Sequence, residues 1–196
     1  MELTVYGSFN CPYSYLGSLR VERLSRLGVA DVDWRAVVHD PDVPSGGLPV
    51  AGELAGTLDR ELDEIRCLLQ VGETYPAIRP RLQPNTMVAV AGYSTAIGAN
   101  ADRLRVALFD AYWVQGLDLG DASVLGELDC PTASPGATMH RWRDEWLGYE
   151  RPIVPMIVLP DGTVSRGLGA LKRLAGLGTD HRADRRGGHF QEHTPA

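Results

Sequence analysis

Residues 2–6, ELTVY, alternate apolar and polar positions in β-forming residue types, which predicts a strand. Over residues 12–27, Leu16, Leu19, Leu24 and Leu27 recur close to helical spacing, and Gly28 stands where a glycine closes a helix. Residues 32–38, VDWRAVV, read as a second strand. The chain therefore begins β-α-β, and a Cys-Pro pair, Cys11-Pro12, sits at the first strand-to-helix junction.

The pattern then changes. Residues 39–52 are rich in proline and glycine and read as a loop. From about 54 to 147 the spacing is helical. TLDRELDEIRCLLQ carries Leu58, Leu62, Ile65, Leu68 and Leu69 on one face, with Cys67 beside it. After a proline-rich stretch, Asn85 is placed to cap a helix through TMVAVAGYSTAIG. A helix follows from about 101 to 115, and Asp121 is a cap for a short helix ASVLGEL. ATMHRWRDEWL reads as one more. Strand character returns in IVPMIVL (153–159), interrupted by Pro155. A PDG turn, a short strand TVSRG and a closing helix LGALKRLAGL complete the pattern. From Gly178 onward apolar periodicity is lost, which predicts a disordered tail.

The order β-α-β, helices, β-β-α is most simply an α/β fold with a helical subdomain inserted between two halves of one sheet. The boundaries expected are 1–52 with 151–177 for the sheet domain, 53–150 for the insertion and 178–196 for the tail. A ligand site is expected where the two parts meet.

Composition narrows the function. A formal charge of -6 gives no general attraction for nucleic acid or an anionic membrane surface, so neither is an expected partner. No stretch approaches the ~20 apolar residues of a membrane span. The first residues lack the basic and apolar regions of a secretory signal, so a cytoplasmic location is expected. The three cysteines, Cys11, Cys67 and Cys130, form no zinc-like spacing, and their odd number argues against a disulfide framework. The histidines show no metal-ligand pairing, so no metal is expected.

Cys11 carries the strongest chemical signal. A cysteine at a helix N-terminus lies near unpaired N–H groups and the positive end of the helix dipole, which favour thiolate. Pro12 suits the first helical position because its missing N–H would have no partner there. The competing reading is a small buried residue at a helix cap.

CPYS after a first strand, a helical insertion, VP ahead of a late strand and a final β-β-α together resemble the thioredoxin fold in its DsbA-like version. Within it the chain is similar to the branch holding FrnE-type oxidoreductases, 2-hydroxychromene-2-carboxylate isomerases and kappa-class glutathione transferases. PNTMVAVAGYSTA and LFDAYWVQGLDLGDASVL look like that branch's insertion helices, and VPMIVLPDGTVSRGLGALKRL like its C-terminal half. The resemblance implies roles residue by residue. Cys11 matches the family's nucleophilic cysteine, or the serine that faces the glutathione sulfur in the isomerases and kappa transferases, and Ser14 matches the resolving cysteine of dithiol members. Val154-Pro155 matches the cis-proline loop beside the active sulfur, where the Val154 backbone would pair with a bound peptide or thiol. Gly167 and Leu168 match the turn into the last helix. Asn85 matches an insertion asparagine that faces the cofactor sulfur in some relatives, while Pro12 and Tyr13 flank the nucleophile. Glutathione-using relatives carry an Asp just after the final turn, and GLGALKRL has no acid there.

A serine hydroxyl cannot resolve a mixed disulfide. The expected activity is therefore thiol-disulfide exchange through one cysteine, with a low-molecular-weight thiol (glutathione or another) or a protein disulfide as partner and no tightly bound cofactor. The alternatives are a thiol-cofactor-dependent isomerase or transferase on a small aromatic or polyketide-like substrate, and a non-catalytic binding protein. Relatives are often dimers, so a homodimer is among the expectations.

Overall fold

The computed structural model describes residues 1–187. Strand β1 (Glu2–Gly7), helix α1 (Pro12–Arg26) and strand β2 (Asp31–Ala36) form the opening unit, β1 and β2 pairing in parallel from Glu2↔Asp31 to Gly7↔Ala36. Strands β5 (Met156–Val158) and β6 (Val164–Arg166) add antiparallel, giving one sheet in the order β2-β1-β5-β6. Helix α7 (Leu168–Gly187) returns against α1. Between the halves lie β3 (Leu48–Pro49), α2 (Gly52–Cys67), β4 (Leu82–Gln83), α3 (Met87–Tyr93), α4 (Ala99–Trp113), α5 (Ala122–Glu127) and α6 (Ala137–Leu147). This is a thioredoxin fold with helices inserted between its β-α-β and β-β-α halves. Among the described residues no helix is long and apolar enough to cross a membrane.

Local chemistry explains most boundaries. Gly28 takes φ +68° and ends α1, the left-handed conformation that favours glycine. The Asp121 carboxylate accepts from Ser123 N–H and caps α5 as expected. The helix expected through Gly98 instead stops at Tyr93. There the Ser94 and Thr95 hydroxyls donate back to the Ala91 and Gly92 carbonyls, and such back-bonding competes with helix continuation. The strand expected over 153–159 shortens to Met156–Val158, because Pro155 has no N–H for a ladder. Residues 39–52 were expected as loop only. The two-residue strand β3 within them pairs with β4 across the insertion, too short to leave a periodic trace. Helix α7 continues through Gly187, so residues 178–187 are helical where a disordered tail was expected. Extending a helix already held by its first turns costs little compared with starting one. The rest of the expected tail, 188–196, lies outside the described residues.

The inserted helices share the sheet's core and do not form a second one. Phe109 of α4 meets the Phe9 ring at 5.1 Å, Trp34 at 5.6 Å and Tyr15 at 5.7 Å. Two buried arginines knit the parts further. Arg105 of α4 donates to the Ser18 carbonyl (3.0 Å) and hydroxyl on α1, with its guanidinium 5.4 Å from the Trp34 ring centre. Arg20 of α1 forks onto Glu73 (2.9 and 2.6 Å) and donates to the Leu68 and Leu171 carbonyls, both at 2.9 Å. It thereby joins α1, the segment after α2, and α7.

Candidate active site

The loop from β1 delivers Cys11 as the N-cap of α1, with extended backbone (φ -101°, ψ 120°) and Pro12 at the first helical position. Its N–H donates to the Ser8 carbonyl, and its carbonyl accepts the first helical bond from Tyr15 N–H. The sulfur is thus set among the first N–H groups of the helix. The residue is buried, packed with Val37, Val154 and Met156. Burial pushes the Cys11 thiol above its ordinary pKa. The Ser14 hydroxyl and the Ser14 and Tyr13 N–H groups pull it back, and the Glu61 carboxylate pushes it up again. The helix terminus does stabilise negative charge, but removing the sulfur from water outweighs it.

Ser14 is fully buried, and its oxygen accepts from Ser8 N–H at 3.2 Å. That leaves the hydroxyl proton for Cys11, the bond that lowers the thiol. Opposite the sulfur, Cys11 Sγ donates to the Val154 carbonyl at 4.0 Å, and the Val154-Pro155 bond is cis. Gly167 at φ +50° directs its N–H onto the Pro155 carbonyl at 2.8 Å, so the turn before α7 holds the cis-proline loop. Cys11, Ser14, Val154, Pro155 and Gly167 thus form one connected group. Leu168, 38% exposed, opens α7 at the surface. Tyr13 turns outward to Glu64, while the Pro12 carbonyl accepts from the Tyr75 hydroxyl at 3.0 Å. Asn85 uses both polar ends of its side chain on backbone: Nδ2 donates to Val43 O (2.6 Å) and Oδ1 accepts from Met87 N–H (3.0 Å). It does not line the cavity described next.

A cavity of about 230 Å³ lies over Cys11, between the sheet domain and the insertion. Asn10, Cys11, Pro12, His39 and Asp40 form one wall. Leu54, Leu58 and Glu61 of α2, with Tyr112 and Trp113 of α4, form the other. Sequence reasoning missed His39, Asp40 and Glu61. A signal existed for the last: Leu54, Leu58 and Glu61 share one helical stripe, the edge of the apolar face already visible in α2. Tyr112 and Trp113 are buried as well as lining: Trp113 Nε1 donates to Phe9 O at 2.9 Å. Among the described residues no group of three or more His, Cys, Asp or Glu is placed to hold a metal.

Residues 2–128 match the family of DSBA-like thioredoxin domains. No curated protein sequence matches the chain. Solved structures do. One is a 2-hydroxychromene-2-carboxylate isomerase, 19% identical, covering 98% of this chain and 100% of its own, with a TM-score of 0.65. A probable DsbA oxidoreductase from Streptomyces coelicolor is 15% identical over 100% of this chain and 94% of its own, TM-score 0.67. The cytosolic disulfide reductase DsbM from Pseudomonas aeruginosa, solved with GSH, is 15% identical over 95% and 100%, TM-score 0.53. At these identities the likeness is one of fold. The family match spans well over half of the chain and includes the Cys11 junction, so this chain belongs to the DSBA-like thioredoxin family.

Proposed function

We propose that the protein catalyses thiol-disulfide exchange through Cys11 alone, with a low-molecular-weight thiol as its partner. The observation that carries this reading is the pairing of a cavity-facing cysteine with a buried Ser14 where a dithiol enzyme has its second sulfur. All three cysteines are free; Cys130 is buried against the Ala89 carbonyl and Cys67 is exposed at the end of α2. The Cys11 thiol first loses its proton, helped by Ser14 and the helix N–H groups. The thiolate attacks one sulfur of a small disulfide, the S–S bond breaks, and a Cys11 mixed disulfide forms. The departing thiolate takes up a proton. A second small thiol then attacks the mixed disulfide at the outer sulfur, forming a new small disulfide and returning Cys11 as thiol. DsbM, a structural neighbour, is solved with GSH, which agrees with a low-molecular-weight thiol as partner. Three free cysteines suit a reducing cytoplasm.

A second reading is a thiol-cofactor-dependent isomerase or transferase, in which neutral Cys11 donates a hydrogen bond to a bound cofactor thiolate. It is favoured by the upward push on the Cys11 thiol and by the partly apolar cavity beside it.

Intact-mass analysis with peptide mapping after incubation with a small disulfide decides between them. One adduct per chain at Cys11, released by added thiol and absent in Cys11→Ser, is the expected result. No adduct at Cys11 under conditions that modify Cys67 overturns the exchange mechanism.

A further inference from the structure

The cavity over Cys11 has a one-sided charge. Asp40 and Glu61 line it, and no lysine or arginine does. Asp40 accepts a hydrogen bond from the neutral amide of Gln83 at 2.8 Å, and among the described residues it has no ion-pair partner. Glu61 makes no hydrogen bond or ion pair among the described residues. Partial burial and neighbouring Glu64 push its carboxyl up, while Arg60 pulls it down. Arg60 is exposed, bonds the Thr57 hydroxyl and does not line the cavity. His39 is exposed at the cavity, and desolvation pulls its imidazole below the ordinary value against the pull of Asp40. The apolar part of the lining (Leu54, Leu58, Trp113) weakens solvent screening between these carboxylates and anything seated over the sulfur.

We propose that Cys11 exchanges preferentially with small thiols and disulfides that carry an amine, whose ammonium group lies against Asp40 and Glu61, and discriminates against carboxylate-bearing ones. The inference rests on the exchange reaction proposed above and names its substrate class. The covalent step is unchanged: one S–S bond breaks, the Cys11 mixed disulfide forms, and the leaving aminothiolate takes up a proton. The carboxylates act only before that step, by holding the ammonium and orienting the disulfide toward the sulfur. Glutathione, with two carboxylates and one amine, meets no cation in this lining.

The test uses three disulfides of similar size and different charge: cystamine (dication), hydroxyethyl disulfide (neutral) and dithiodiglycolate (dianion). Rates of Cys11 adduct formation on the full chain are followed by mass spectrometry. Each rate is divided by that of the same disulfide with a neutral model thiol, which removes leaving-group differences. The expected order is cystamine, then hydroxyethyl disulfide, then dithiodiglycolate. Each step is of order tenfold at low salt and shrinks as salt screens it. In Glu61→Gln and in Asp40→Asn, the cystamine-to-hydroxyethyl ratio falls several-fold; using a ratio cancels any change in Cys11 acidity. Equal normalised rates, a dianion preference, or a ratio unmoved in both variants overturns the proposal while leaving exchange chemistry intact. No adduct at Cys11 with any of the three overturns the exchange reading itself, and this proposal with it.

Discussion

Arg20 offers the sharpest test of how the two parts of the molecule are held together. It is 4% exposed, and its partner Glu73 is 8% exposed. The guanidinium makes two bonds to that carboxylate and one each to the Leu68 and Leu171 carbonyls. Arg20→Met fills much of the space and removes every bond. It leaves the Glu73 carboxylate with only the Gln70 N–H to stabilise its charge, in a site where its side chain is 8% exposed. Breaking a buried pair from one side costs about 3–5 kcal/mol, most of it the stranded charge. For a chain of this size that corresponds to a drop in Tm of roughly 6–20 °C. Replacing both partners, as Arg20→Met with Glu73→Leu, removes the stranded charge, so the double variant should lose clearly less than the two single losses summed. The pair also sets a pH dependence. Burial raises Glu73, but bonds from Arg20 and from Gln70 N–H lower it further than burial raises it. A carboxyl depressed in the folded state stabilises it above the unfolded pKa, and that contribution fades as pH falls through the folded value. In Arg20→Met the lowering by Arg20 is gone and burial still raises Glu73, so the stability gap to wild type should start to close above the ordinary carboxyl value of about 4.5 and keep closing as pH falls through the depressed wild-type value. Two residues on, Tyr75 donates to the Pro12 carbonyl beside the active sulfur, so Arg20→Met should also make Cys11 more accessible to alkylation. Thermal and urea unfolding of the four proteins of the cycle measure the stability terms. A loss below ~1 kcal/mol for Arg20→Met, or strict additivity in the double variant, would refute the reasoning.

Three further expectations follow from single contacts. The midpoint of Cys11 alkylation against pH should lie above the ordinary cysteine value and move higher in Ser14→Ala, which removes the hydroxyl that bonds the thiolate; a Cys11 midpoint below ~8.5 would contradict the burial argument. Cys130, pushed up to about 11 by burial, serves as the slow control. Ser14→Cys restores a second sulfur at the resolving position, so mild oxidation should give an internal disulfide, read as loss of both free thiols on the active-site peptide; persistence of a small-thiol adduct alone would count against that placement. Gly92→Ala sets a Cβ 2.2 Å from the Pro131 carbonyl oxygen and 2.7 Å from Cys130 Sγ, and should lose about 1–3 kcal/mol in urea unfolding, whereas an unchanged midpoint would mean the 130–131 segment yields freely.

The sequence by itself determined the order of elements, the junction that carries Cys11 and the family. These rest on local rules: β alternation in ELTVY, the 3–4 spacing in α1, the glycine after it and the aspartate cap of α5. The helix expected over ATMHRWRDEWL appears residue for residue as α6. Local rules failed where the deciding partner was distant in the chain. The paired strands at Leu48 and Gln83, too short for periodicity, needed the fold to bring them together. The resemblance places Asn85 toward a cofactor sulfur, whereas here the Val43 carbonyl and the Met87 N–H take both ends of its amide. Nothing local marks Arg20 within α1, and only the approach of Glu73, Leu68 and Leu171 makes it a buried tie. The same holds for the chemistry of Cys11. Its helix terminus was legible because it depends on the next few residues. Its protonation was not, because the cost of a buried thiolate depends on Val37, Val154, Met156 and Glu61, which only the tertiary structure sets around the sulfur.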